Sequence, residues 1–153
     1  MAMERADENC KLRLRANRSM PPSVVIPVLA YPDVREAVEW LCRCFGFRER
    51  LRIGEHRSQL AIGEGEAEGA VVVAGGDGAA PASVMVRVAD LRTHHRNAAA
   101  CGARILGQPA DFPYGELQYT AEDLAGHRWT FSQTLADVDP ATWGGTFTED
   151  GSR

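Results

Sequence analysis

A pattern of caps and turns recurs along this chain at a nearly constant spacing, and that repeat limits the possible folds more than any other feature. Asp33 and Asp90 each stand before a helical stretch, 57 residues apart. Gly69 and Gly126 are 57 apart, and Gly46 and Gly102 are 56 apart. Asp33, with Glu36 three residues on, forms a capping box. Val34, Ala37, Val38, Leu41, Cys42 and Phe45 follow at helical spacing and give one apolar face. Gly46 ends that helix in the left-handed manner. A β-branched run at 24–30 precedes it, with Pro27 marking an edge or seam because it has no N–H to give a neighbour. Three strands follow, at 48–54, 57–63 and 69–74, joined by glycine turns. The order then returns: a strand at 83–89, a helix from Asp90 to about Cys101, and strands at 104–106, 117–121 and 127–133. This is a duplicated βαβββ unit, visible in punctuation rather than in identities.

Each unit leaves one sheet face uncovered. The fold class expected is therefore α+β, with two βαβββ modules forming a curved eight-stranded mixed sheet around a cavity and the helices outside. The modules span 22–75 and 82–135. Residues 1–21 read as a disordered N-terminal arm and 136–153 as a C-terminal tail, with Trp143 as its anchor on the surface or on a partner subunit. Residues 1–19 carry five basic and three acidic side chains. Met20 offers an alternative start, and a basic docking arm is the functional alternative. The connector 75–81 is glycine-rich but lacks the Lys-Ser/Thr pair and the following helix of a phosphate loop.

Composition narrows the partners. A net charge of −4 argues against nucleic acid and acidic membranes. No apolar run approaches the roughly 20 residues that span a bilayer, and no signal peptide is visible. Cys10, Cys42, Cys44 and Cys101 fit no zinc pattern. They read as reduced thiols that mostly fill space in a cytoplasmic protein, with a redox or metal role as the alternative.

The stretch 122–133 joins a tight turn to a strand. Asp123 can bond its own backbone, Gly126 supplies the turn conformation, and Trp129 and Phe131 alternate with Arg128, Thr130 and Ser132. This turn-strand, at the end of paired βαβββ units, resembles the vicinal oxygen chelate superfamily of glyoxalases, extradiol dioxygenases and bleomycin-resistance proteins. The span from Tyr114-Gly115-Glu116 through Gly126-His127-Arg128-Trp129-Thr130-Phe131 is similar to bacterial glyoxalase-like proteins of unassigned substrate. The resemblance covers roughly 22–135 and implies a homodimer.

Members of that family that use a divalent metal take His, Glu or Gln ligands from the first and fourth strands of each unit. Carried over, those places fall on Ile26 and Val73, then on Ser83 and Thr130. A slip of one residue gives Val25, Val72, Val84 and Trp129. Neither set can chelate zinc or iron, so neither a metal nor any other cofactor is expected, and the Lewis-acid chemistry it would supply has no source.

If Ser83 faces the cavity, alternation brings Met85 and Arg87 with it, and if Thr130 does, Arg128 and Ser132 follow. A buried Arg needs a partner, either a protein carboxylate such as Glu116 or an anionic ligand, with plain solvent exposure as the third possibility. Phe112, Tyr114 and Tyr119 suit a flat organic ligand or ordinary core packing, with Gln59 and Gln118 as orienting groups. His94 and His95 read as packing or surface groups, His127 as a bond to the turn backbone, and His56 as a residue of a hairpin turn. The candidate ligand-binding set is thus Ser83, Met85, Arg87, Tyr114, Glu116, Arg128, Thr130 and Ser132. The expected function is metal-independent binding of a small organic ligand, anionic in one reading. Two alternatives stay open. One is a metal-dependent lyase, isomerase or dioxygenase using Glu116, His56 or His127. The other is an interaction module without a pocket.

Overall fold

The caps and turns of the repeat stand where the sequence puts them, in two β–α–β–β–β units. A computed structural model describes residues 15–63, 65, 67–77 and 80–147. Residues 1–14, two positions each in the 63–69 turn and the glycine-rich connector, and 148–153 lie outside the described residues. The first unit contains β1 (Val28–Tyr31), α1 (Val34–Phe45), β2 (Arg48–Ile53), β3 (Arg57–Ile62) and β4 (Gly69–Gly75). The second contains β5 (Ser83–Arg87), α2 (Leu91–Ala100), β6 (Arg104–Phe112), β7 (Glu116–Glu122) and β8 (Arg128–Thr134).

Each unit builds its own four-stranded mixed sheet in the same order, β1-β4-β3-β2 and β5-β8-β7-β6. The first and fourth strands of each are parallel and the remaining pairs antiparallel. Two separate sheets thus replace the continuous eight-stranded sheet. The edge strands β1 and β5 are bridged instead by one side chain. His127 accepts the Ala82 N–H at Nδ1 (2.9 Å) and donates from Nε2 to the Ala30 carbonyl (2.8 Å). The strand expected at 24–30 begins only at Val28, just after Pro27, whose carbonyl takes the Val72 N–H (2.8 Å).

Both helices start on the expected caps. The Asp33 carboxylate accepts the Glu36 N–H and that of Asp90 accepts the Thr93 N–H. Gly46 and Gly102 take φ of 78° and 97°, values that a Cβ would resist. Leu41 and Leu91 from the helices, Leu60 and Val73 from the first sheet, and Trp129 and Phe131 from the second meet in one buried cluster. Phe45 at the end of α1 packs edge-on to Phe131, ring centres 5.0 Å apart, so the two units share one core.

Asp123 fixes the join. Its carboxylate accepts four hydrogen bonds: Tyr31 Oη at 2.6 Å, Trp129 Nε1 at 3.0 Å, and the Ala125 and His127 N–H groups at 3.0 Å each. Burial together with the Asp123 charge drives the Tyr31 phenol pKa far upward, so the phenol stays a donor.

One expectation is corrected. Cys44 and Cys101, read as reduced space-filling thiols, form a disulfide with Cα atoms 5.3 Å apart, and Cys42 is a free cysteine. Ahead of β1, Arg50 Nη2 donates to the Arg18 carbonyl (2.9 Å), Gln59 Nε2 donates to the Ser19 carbonyl (2.8 Å), and Pro21 is buried.

Two predictions follow from these contacts. Asp123→Ala strands the buried Tyr31 and Trp129 donors and lowers unfolding free energy by about 3 kcal/mol or more in urea titration, while Tyr31→Phe lowers it by about 1 kcal/mol. Arg35 clamps Glu49 through both guanidinium nitrogens, and Ser58 adds a hydroxyl, holding the Glu49 pKa down at about 2. Because the folded value is depressed, this stabilisation is complete above the unfolded carboxyl pKa and fades as pH falls toward about 2. Glu49→Gln flattens that part of the curve of Tm against pH.

Candidate functional site

Each sheet buries one face against the helices, and the second sheet leaves its other face open. In the second sheet the alternation is clean: Val84, Val86, Trp129, Phe131, Leu117, Tyr119 and Ala121 turn toward the helices. Ser83, Met85 and Arg87 of β5, Arg128, Thr130 and Ser132 of β8, and Glu116 of β7 lie on the other face. The sequence-derived set therefore does share one surface.

The structure divides that set into three groups. The first is a hydrogen-bonded row. Tyr114 Oη donates to Gln118 Oε1 (3.2 Å), Gln118 Nε2 to Ser132 Oγ (2.9 Å), and Ser132 Oγ to Glu116 Oε1 (2.7 Å). Met85 and Arg87 form the second group. They line a cleft of about 860 Å³ that also takes Val25 and Pro27 from ahead of β1 and Ala70 from β4. Ser83, Arg128 and Thr130 form the third: Ser83 pairs with Arg128 where β5 and β8 begin, and Thr130 follows two residues on. Of these, Thr130 shares a hydrogen bond with the Thr120 hydroxyl at 3.0 Å.

The arginines are not buried, the third of the possibilities open to them. Arg87 and Arg128 are both exposed, and neither forms an ion pair among the described residues. Arg87 donates to the Thr134 hydroxyl (3.0 Å), while Glu116 is engaged by Ser132. Thr134 escaped the sequence reading because it lies one residue past the expected end of its strand. Gln118 was marked there only as an orienting group, yet it ties Tyr114 to Ser132.

Aromatic side chains border the row. Phe112 stacks on Tyr114 with ring centres 5.5 Å apart and planes 18° apart, and Trp143 meets Tyr114 edge-on at 5.4 Å. Trp143 sits at the end of a short 3₁₀ turn (Pro140–Trp143) and is 44% exposed. The tail is thus anchored on this chain's own second module. Tyr119, by contrast, belongs to the core, where it donates to His94 Nδ1 (2.5 Å). His94 Nε2 donates in turn to the Phe45 carbonyl, and desolvation lowers the His94 pKa.

On the first sheet the face away from the helices is itself buried at Gln59, Ala61, Ala70 and Val72, and Gln59 there donates to the Ser19 carbonyl. The register of the repeat also slips by one residue. Val28 pairs with Val72, whereas Met85 pairs with Thr130. Val28 and Val72 are 44 residues apart along the chain and Met85 and Thr130 are 45 apart, so the first unit is one residue shorter between these paired strands. One residue reverses every side chain in a strand, so Val73 points into the core and Val72 is the true counterpart of Thr130.

The family's metal positions consequently fall on Ile26, Val72, Ser83 and Thr130, a set that cannot hold zinc, nickel or iron. No grouping of three His, Cys, Asp or Glu side chains suited to a metal occurs among the described residues. Both ring nitrogens of His127 are engaged by backbone, and His56 is exposed in the β2–β3 turn. Ser132→Ala removes the hydroxyl shared by Gln118 and Glu116; an expected loss of about 1–2 kcal/mol in chemical denaturation would report that network.

Comparison with known proteins agrees with this architecture. The family model described as Glyoxalase/Bleomycin resistance protein/Dioxygenase superfamily matches residues 23–131. The chain is similar to TioX from Micromonospora sp. ML1, at 35% identity and a TM-score of 0.64, over 74% of this chain and 99% of that one. A glyoxalase/bleomycin resistance protein/dioxygenase from Nocardioides aligns over 95% of this chain and 99% of its own, at 15% identity and a TM-score of 0.60. Lactoylglutathione lyase from Agrobacterium tumefaciens aligns over 82% and 98%, at 12% identity and a TM-score of 0.60, a likeness of fold alone. No curated protein sequence matches. The duplicated βαβββ units, the matching family model and the relative sharing a third of its residues place this chain in the glyoxalase/bleomycin resistance protein/dioxygenase superfamily.

Proposed function

We propose that the protein binds a small organic anion on the open face of its second sheet, without a metal. The observation that carries this reading is the pair of exposed guanidinium groups, Arg87 and Arg128, on a face whose other groups are hydroxyls, an amide, Met85 and the Glu116 carboxylate, which pairs with neither arginine. Arg87 stands in the cleft, where an anionic ligand group could take a charge-assisted, two-pronged hydrogen bond. The Phe112–Tyr114–Trp143 cluster gives an aromatic ligand a wall to stack on, and Gln118 and Glu116 offer orienting groups. The donor set supports the metal-free form of this reading: hydroxyls and alkyl groups occupy the positions where metal-using relatives place imidazole and carboxylate.

A homodimer fits the same surface. Val24, Val25, Val28 and Met85 are more than half exposed beside the cleft, and such a seam is of the kind that a second subunit covers. Light scattering on a sizing column should give twice the chain mass.

A thermal-shift screen of aromatic carboxylates and their uncharged amides tests the binding reading. Carboxylates are expected to raise Tm and the amides not. A ligand at 100 times its dissociation constant adds about 2.7 kcal/mol. Arg87→Ala should weaken a carboxylate hit at least about tenfold, since a charge-assisted bond contributes about 1.5–3 kcal/mol. Stoichiometric zinc, nickel, manganese or iron retained by the purified protein, or hits indifferent to ligand charge, would overturn it.

A further inference from the structure

The cleft has walls from both modules, so its width depends on how the modules are held together. They meet on two sides. On the strand side, His127 bridges Ala30 and Ala82 beside the cleft, and Asp123 joins Tyr31 to Trp129. On the helix side, the Cys44–Cys101 disulfide ties the last turn of α1 to the residue capping α2. The two cysteines are 57 residues apart, the offset that relates the helix caps Asp33 and Asp90. They are therefore equivalent positions of the repeat, meeting where its two halves face one another. Beside them Phe45 packs on His94, Trp129 and Phe131, and the polar contacts are few. Asn97 Nδ2 lies 3.4 Å from both the Arg43 and Cys44 carbonyls, and His94 donates to the Phe45 carbonyl.

We propose that this disulfide is a reducible lock on the placement of the two modules, and hence a redox control on the cleft between β1 and β5. The claim about the cleft's ligand rests on the binding reading above; the lock itself does not. Disulfides persist in oxidising surroundings and are labile or sensing elements elsewhere. Cys44 is fully buried, whereas Cys101, beside the Gly102 turn, is partly exposed, which makes it the end of the bond nearer to solvent. A dithiol reductant attacks Cys101 Sγ, breaking the S–S bond and releasing the Cys44 thiolate, which takes a proton. The second thiol of the reductant closes on the mixed disulfide and frees Cys101 as a thiol. Two electrons and two protons pass to the protein, and the reductant leaves as its own disulfide.

Three measurements test the lock with dithiothreitol. Alkylation of the unfolded, unreduced chain should leave Cys44 and Cys101 unmodified, and reduction should make both reactive. Reduction should lower Tm by about 10 °C, as expected for opening a loop of this length in a chain of this size. The Cys44→Ser/Cys101→Ser variant should melt at the reduced value with or without reductant. Amide exchange should quicken at least about tenfold at residues 45–47 and 101–103 in the reduced protein and in the double variant, while the centres of β3 and β7 stay protected. Free thiols at Cys44 and Cys101 before reduction would overturn the proposal. So would unchanged exchange at the helix ends, or a loss of protection spread evenly over every strand, which marks a global staple. Affinity for 2-naphthoate, if the intact protein binds it, should fall on reduction. If it does not bind, only the ligand reading fails, because the exchange and thiol measurements need no ligand.

Discussion

A single carboxylate, that of Asp123, holds the two halves of this chain in one arrangement. It receives a phenol from β1, an indole from β8 and two N–H groups of its own turn, so its oxygens are satisfied without a cation. Burying a carboxylate is costly unless donors replace water. The cost is offset here only when the first strand of one module lies against the turn before the last strand of the other. The same turn presents His127 to both edge strands. Module pairing is thereby specified by polar geometry as well as by the shared apolar core.

Much of this was legible in the sequence, because it rests on local chemistry. Asp33 and Asp90 cap helices through contacts three residues away, and Gly46 and Gly102 end them through their own backbone. The alternation in 128–132 reads directly as two faces. The missed features depend on counting or on distance. The first unit is one residue shorter than the second between its paired first and fourth strands, which turns Val73 inward, and no property of Val73 itself signals that. The union of Cys44 with Cys101 follows from the pseudo-symmetry of the fold, although the spacing that relates the caps was already present in those two positions. The exposure of Arg87 and Arg128 reflects how widely the second sheet opens, a tertiary property that strand periodicity does not carry.

The site residues were gathered onto one surface by alternation, but alternation could not divide them. Register and side-chain reach do that. Ser132 reaches Glu116 and Gln118 on β7, while Arg87, one strand away on β5, reaches Thr134. The aromatic border depends on the tail returning to Tyr114, a contact that no local signal near Trp143 encodes.

The contact of the segment around Ser19 with the first sheet has a consequence for symmetry. Gln59, which donates to the Ser19 carbonyl, is buried, whereas Ser83, Met85 and Arg87 on the open face of the second sheet are exposed. The internal twofold is therefore broken in what the two modules show to solvent.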